Sequence, residues 1–201
     1  MRRDMASGRL GEQIRFIVEI DRLKTVVRQT SLVDRSRQEN DAEHSWHIAV
    51  MALVLSEYSN HDDIDIFRVV KMLLVHDLVE IYAGDTFLYS DYDRDVKVNN
   101  ERAAAAKLFR LLPADQAEEM MEAWEEFEAE ETPEAMFAKT MDALQPVLLG
   151  YYNKGWSWHQ HSIRKDEILK HKEHMRKGSE TLWRLVQELL REAEERGYVP
   201  E

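Results

Sequence analysis

Apolar residues recur along this chain at spacings of three and four. Leu10, Ile14, Ile17, Ile20, Leu23 and Val27 trace one such stripe, which predicts an amphipathic helix over 7–29. Asn40 followed by Glu43 reads as a capping box, opening a second helix through Met51 to about Ser56. Asp62 or Asp63 can cap a third helix, Ile64 to Tyr82, with Gly84 ending it in a left-handed conformation. A polar loop runs from Asp85 to about Val96. A helix around Asn100–Leu112 follows, stopped by Pro113, and then another from Ala114 to Glu130. Thr132-Pro133 reads as a cap with proline at the first helical position, and that helix runs to about Leu149. Gly150 and Gly155 bracket a loop rich in Tyr and Trp, and 164–196 is helical with an interruption near Gly178-Ser179. No internal repeat or linker divides the pattern.

Composition agrees with an all-α, single-domain reading. Seven glycines and four prolines in 201 residues leave room for long helices and little for a many-turned β fold. The absence of cysteine removes a disulfide scaffold, a zinc-thiolate site and a cysteine nucleophile together, and suits a cytoplasmic interior. The first twenty residues carry no signal-peptide core, and no apolar run approaches the roughly 20 residues of a membrane span. A net charge of −12 argues against a polymeric nucleic acid as partner. It leaves a small phosphorylated substrate open, because a metal dication and a few cations can hold one phosphate locally.

The histidines carry the chemistry. His76-Asp77 lies within an apolar run, Met72 to Val75 before it and Leu78-Val79 after it. A carboxylate on a buried helix face is costly unless it is paired or bound to a metal. Taken alone, the pair fits an exposed face about as well. His44 adds a second imidazole beside Ile48, Ala49 and Val50, near the start of another helix. Asp142 is the best candidate for a further oxygen ligand, in an apolar helical segment one turn before Pro146; a proline serving only packing is the alternative there. Two histidines and two carboxylates suit one divalent ion, Mn²⁺, Co²⁺, Fe²⁺, Zn²⁺ or Mg²⁺, with positions left open for water and phosphate. There is no P-loop, no G-x-G-x-x-G cradle and no G-x-S-x-G elbow.

The ordered set His44, His76-Asp77 and Asp142 resembles the H…HD…D signature of the HD-domain superfamily. The segments Glu39 to Ser45, His76 to Asp85 and Asp142-Ala143-Leu144-Gln145-Pro146 resemble the branch that includes bacterial 5′-deoxynucleotidases, and the likeness extends over roughly 15–165. It implies an α-helical, often dimeric enzyme that hydrolyses deoxynucleoside phosphomonoesters. It also implies that Glu80 and Asp85 act near the attacking water and the leaving group. Spacing agrees, since Glu80 falls four residues after His76 and three after Asp77. The expected division gives the water to Glu80 and general-acid work to Asp85.

The same pattern places a phosphate-binding arginine before the first motif, followed by a sugar-sensing tryptophan. Arg28 is in that region, but Gln29 and Thr30 follow it, so selectivity for deoxyribose does not carry over. Arg35, Arg37 and Lys97 compete with Arg28 as phosphate ligands. Two-metal members resemble H…HD…H…H…D; 78–141 contains no histidine, which argues for one metal. His47 is read as supporting the site or an interface. His159, His161, His171 and His174 lack an acidic partner at ligand spacing. Tyr151, Tyr152, Trp156 and Trp158 are read as packing before base stacking. The expected function is metal-dependent release of phosphate from nucleoside 5′-monophosphates by a cytoplasmic homodimer, with a nucleotide-sensing module without turnover as the alternative.

Overall fold

The first stripe folds as helix α1 (Gly8–Ile20) but stops short of 29. A 3₁₀ turn (Asp21–Thr25) follows, then strand β1 (Val27–Ser31), paired antiparallel with β2 (Gln38–Asn40). Val27 is exposed, so its spacing from Leu23 did not mark a buried helix face. Pairing with β2 overrides the local helical pattern and carries Arg28 away from α1. This computed structural model describes residues 7–85, 87–89 and 94–200.

Helix α2 (Asp41–Leu55) opens on the predicted capping box. The Asn40 side chain accepts from the Glu43 amide at 3.0 Å, and the Glu43 carboxylate accepts from the Asn40 amide at 3.1 Å. Helix α3 (Ile66–Val75) is capped by Asp65 in place of Asp62 or Asp63. The predicted single helix to Tyr82 is in fact three pieces: α3, a 3₁₀ turn at His76–Val79 and a short α4 (Glu80–Ala83). The tightened turn falls on the His-Asp pair, a place where helix irregularity commonly serves a site. Gly84 ends α4 with φ +80° as expected, although its ψ of 153° is extended and not left-handed helical.

Helix α5 (Arg94–Phe109) begins earlier than predicted, and α6 (Ala114–Ala129) ends on left-handed Glu130. Helix α7 (Pro133–Tyr152) is capped by Thr132 and continues through Pro146 and past the expected end. Gly150 lies within it because a Cβ there would come within 2.4 Å of the Trp158 ring. That ring is carried by α8 (Trp156–Gln160), inside the stretch predicted as loop. Helices α9 (Lys165–Lys172), α10 (Met175–Gly178) and α11 (Glu180–Glu195) complete the chain, with Ser179 capping α11 at the predicted interruption.

The all-α expectation thus holds, with one two-stranded hairpin added. Two buried clusters form the core. One joins α2, α3, α7 and the C-terminal helices through Ile48, Met72, Phe137, Leu144, Ile168 and Val186. The other joins α1, α5 and α6 through Phe16, Leu108, Phe109 and Trp124. The 3₁₀ turn at His76 meets both: Leu78 and Val79 belong to the second, and the His76 ring lies 4.6 Å from that of Phe127 in the first. Among the described residues, no helix is long and apolar enough to cross a membrane.

Candidate metal centre and adjoining cavity

The first turn of α2 presents His44, fully buried, toward the middle of α7. Its Nε2 lies 3.0 Å from Asp142 Oδ1 and 3.9 Å from Asp77 Oδ2. His76 Nε2 lies 3.0 Å from Asp77 Oδ1 and 3.9 Å from Asp142 Oδ1. All four predicted ligands therefore converge from α2, the 3₁₀ turn and α7. The Nδ1 of His76 sits 2.9 Å from the Leu73 carbonyl oxygen and donates to it, which leaves Nε2 as the lone-pair nitrogen. That nitrogen is buried and makes no hydrogen bond.

These observations fit a divalent cation. Ligands about 2.1 Å from one ion lie roughly 3 Å apart, close to the shorter spacings here. The orphaned His76 nitrogen gains a partner, and two carboxylates balance the charge. Behind His44, Glu39 brings Oε1 to 3.8 Å from Nδ1, a carboxylate placed to orient a ligand imidazole. Glu39 also accepts from Gln145 at 2.8 Å, and Gln145 reaches His47 at 3.3 Å. His47 thus supports the site from behind.

Electrostatics separates this set from its neighbours. Burial disfavours ionised Asp142 and Asp77. It is outweighed at Asp142 by His44 and His76, and at Asp77 by His76 and Arg28, and both carboxyls are held below the usual range. Burial, with the Arg28 charge, lowers His44. Burial also acts to lower His76, but the Asp77 charge prevails and raises it.

Beside the ligand set, Asp41, Glu80 and Asp85 bring one carboxylate oxygen each within 4.8 Å of one another. Burial and the charges of Asp77 and Asp41 push Glu80 well above the usual carboxyl range. Burial and Asp77 push Asp41 up to about 6, and burial raises Asp85. Carboxyls this close cannot all be ionised near neutral pH, so the cluster holds protons. Arg28 bridges the two sets, with Nη1 3.1 Å from Asp41 and 3.0 Å from Asp77.

A cavity of about 220 Å³ opens over both sets, with Asp77, Glu80, Asp85 and Asp142 on its polar side. Phe87, Tyr89, Val147, Trp158 and Ile163 line its apolar side. Arg28 and Lys97 reach it as predicted; Lys97 pairs with Glu101 at 3.3 Å. Arg37 is not brought to it. That side chain is exposed and bonded to Glu43 at 2.6 and 2.7 Å. Arg35 lies over the Trp156 ring instead.

The family model described as HD domain matches residues 20–183 of this chain. The chain belongs to the HD domain family. A Bos taurus protein named 5′-deoxynucleotidase HDDC2 is 36% identical over 138 residues, 67% of this chain and 64% of that protein. The Homo sapiens protein of that name is 33% identical over 137 residues, 67% of this chain and 65% of its own length. The matched stretch thus spans just under two thirds of those relatives. A crystal structure from Magnetospirillum magnetotacticum, named a predicted metal-dependent phosphohydrolase, superposes with a TM-score of 0.91 at 48% identity, over 96% of each chain. The HD domain therefore accounts for the helical architecture.

Several residues of the HD domain site escaped sequence reasoning. Glu39 and Asp41 lie in the segment around His44, from which only the histidine was read as part of the site. Lys139 and Lys172 both line the cavity, as does His161, whose ring lies 4.6 Å from Phe87. For Lys172 a signal existed. Ile168, Lys172 and Met175 fall on one helical stripe, and a lysine on an apolar stripe is an anomaly.

Proposed function

We propose that this chain is a metal-dependent phosphohydrolase releasing phosphate from nucleoside 5′-monophosphates. The observation that carries the reading is the cluster of His44, His76 and Asp77, with Asp142 3.0 Å from His44, at the wall of a cavity that also holds Glu80 and Asp85. Relatives named 5′-deoxynucleotidase and a close structural neighbour named a metal-dependent phosphohydrolase support it. His44, His76, Asp77 and Asp142 would hold a divalent cation, which would supply the positive charge that polarises water and phosphoryl group and favours the ionised form of Glu80.

Glu80, buried three residues beyond Asp77, orients the attacking water and accepts its proton. Asp85, less buried at the end of α4, delivers a proton to the departing 5′-oxygen. Arg28 keeps Asp77 ionised and oriented and lines the cavity, where Lys97 adds positive charge. Phe87, Tyr89 and Trp158 provide apolar surface for the nucleoside. The cavity volume of about 220 Å³ and the −12 net charge favour a small substrate over a nucleic-acid polymer.

Exposed apolar residues support a homodimer. Leu10, Ile14, Ile17 and Val18 stand out on α1, and Trp46, Leu53 and Val54 on α2. The lack of cysteine suits the cytoplasm. The deciding experiment is phosphate release from ribo- and deoxynucleoside 5′-monophosphates by chelator-stripped protein reloaded with Mn²⁺, Co²⁺, Mg²⁺ or Zn²⁺. Metal-dependent release is expected. Nucleotide-induced thermal stabilisation without release would replace the hydrolase with a sensor. Light scattering in the same preparation reports the mass, and a monomer would end the dimer reading.

A further inference from the structure

Among the described residues, four cationic side chains line the cavity: Arg28, Lys97, Lys139 and Lys172. Three of them are engaged. Arg28 bridges Asp41 and Asp77, Lys97 pairs with Glu101, and Lys139 bonds Glu128 at 2.8 Å with its ammonium over the Phe127 ring. Lys172 differs. It is only 7% exposed, yet among the described residues its ammonium makes no hydrogen bond and has no carboxylate oxygen within 4.0 Å. It closes α9, with Ile168 and Met175, both fully buried, before and after it on the same stripe. Lys170, His171 and Glu173 between them face outward.

The stem of Lys172 is buried, while its ammonium opens onto the cavity without a protein partner among the described residues. Arg28 and Lys139 oppose its charge, and Asp142 is the carboxylate that favours it. Burial is the larger influence and pushes the ammonium down to about 8. Lys172 therefore sits at the cavity wall where it feels the charges of Asp142, Arg28 and Lys139 together, beside a candidate metal ligand. An anion entering the cavity would meet three unoccupied N–H donors there.

We propose that Lys172 binds the phosphoryl group of the substrate and of the orthophosphate product, donating from Nζ to a non-bridging oxygen. This assignment rests on the phosphohydrolase reading above. It gives the C-terminal helices a direct part in the site: α9 brings the cation that α7, through Asp142 and Lys139, leaves room for. It also makes the site selective for phosphomonoester dianions over neutral nucleosides, because a neutral ligand leaves the buried charge uncompensated.

The test uses metal-loaded protein, wild type beside Lys172→Met and Lys172→Arg. Orthophosphate binding is measured by calorimetry, metal content by elemental analysis, Tm by calorimetric scan, and KM and kcat with 2′-deoxyadenosine 5′-monophosphate. Lys172→Met should retain its metal and show a Tm no lower than wild type. Its orthophosphate Kd and its KM should each weaken about ten- to a hundredfold, and Lys172→Arg should recover part of the loss. Wild-type Kd and KM in Lys172→Met would overturn the assignment and leave the hydrolase intact. Weak binding together with lost metal would also overturn it, since Lys172 would then act through Asp142. A wild-type protein that neither binds orthophosphate nor releases it would remove the hydrolase reading and this one with it.

Discussion

Two acidic groups of side chains lie against each other in this molecule and behave oppositely. His44, His76, Asp77 and Asp142 mix imidazole with carboxylate, so the carboxyls stay ionised and a nitrogen lone pair remains unused. Asp41, Glu80 and Asp85 are carboxyls alone, and burial with the charge of Asp77 raises all three, Glu80 well above the usual carboxyl range. Arg28 touches both. Identical side-chain chemistry thus becomes a cation holder on one side and a proton store on the other, and the partner within hydrogen-bonding distance decides which.

The sharpest way to break the comparison is to remove one member of each group. His76→Ala should strip the metal and abolish phosphate release, as read by elemental analysis and a phosphate assay. Glu80→Gln should keep the metal while kcat falls by about 10²- to 10⁴-fold, the usual worth of a positioned acid or base. If Glu80→Gln also lost the metal, the two groups would be one site and the contrast would fail.

A smaller effect is expected behind the ligands. Glu39→Gln removes the carboxylate facing His44 Nδ1 and should weaken metal affinity by about 10- to 100-fold, measured by chelator competition. An unchanged affinity would show that His44 needs no such support.

The smallest effect concerns stability and pH. Lys172 has a folded pKa of about 8 against the ordinary 10.5, so between these values the unfolded chain binds more protons than the folded one. Stability of the metal-free, anion-free protein should therefore rise with pH across that window, with the full cost of the buried charge present below it. The difference in unfolding free energy between wild type and Lys172→Met isolates the effect, at most about 3 kcal/mol. A flat difference would mean that the ammonium is solvated in the folded state.

Much of the site was legible because its signals are local. The Asn40–Glu43 box, the Pro113 stop and the Thr132-Pro133 cap act over a few neighbouring residues, and they placed α2, α6 and α7 to within a few positions. His76-Asp77 was conspicuous because charge inside an apolar run is costly. Arg28 was assigned to a helix, and strand pairing with 38–40 placed it between Asp41 and Asp77 instead. Arg37 looked equal to Arg28 until the structure turned it outward onto Glu43. Lys172 was passed over as part of a lysine- and histidine-rich helix, although its stripe position gave it away.

The sequence by itself determined the helical class and the Asn40 and Thr132 caps, and it singled out the candidate metal ligands, since periodicity and residue chemistry act within one or two turns. Only the tertiary structure decided which cations face the cavity, which carboxyls keep their protons and which ammonium is left unpaired. Those depend on distances between residues far apart in the chain. His44 and Asp142, 98 positions apart, come within 3.0 Å, and at such contacts burial and pairing, not residue type, set the charge.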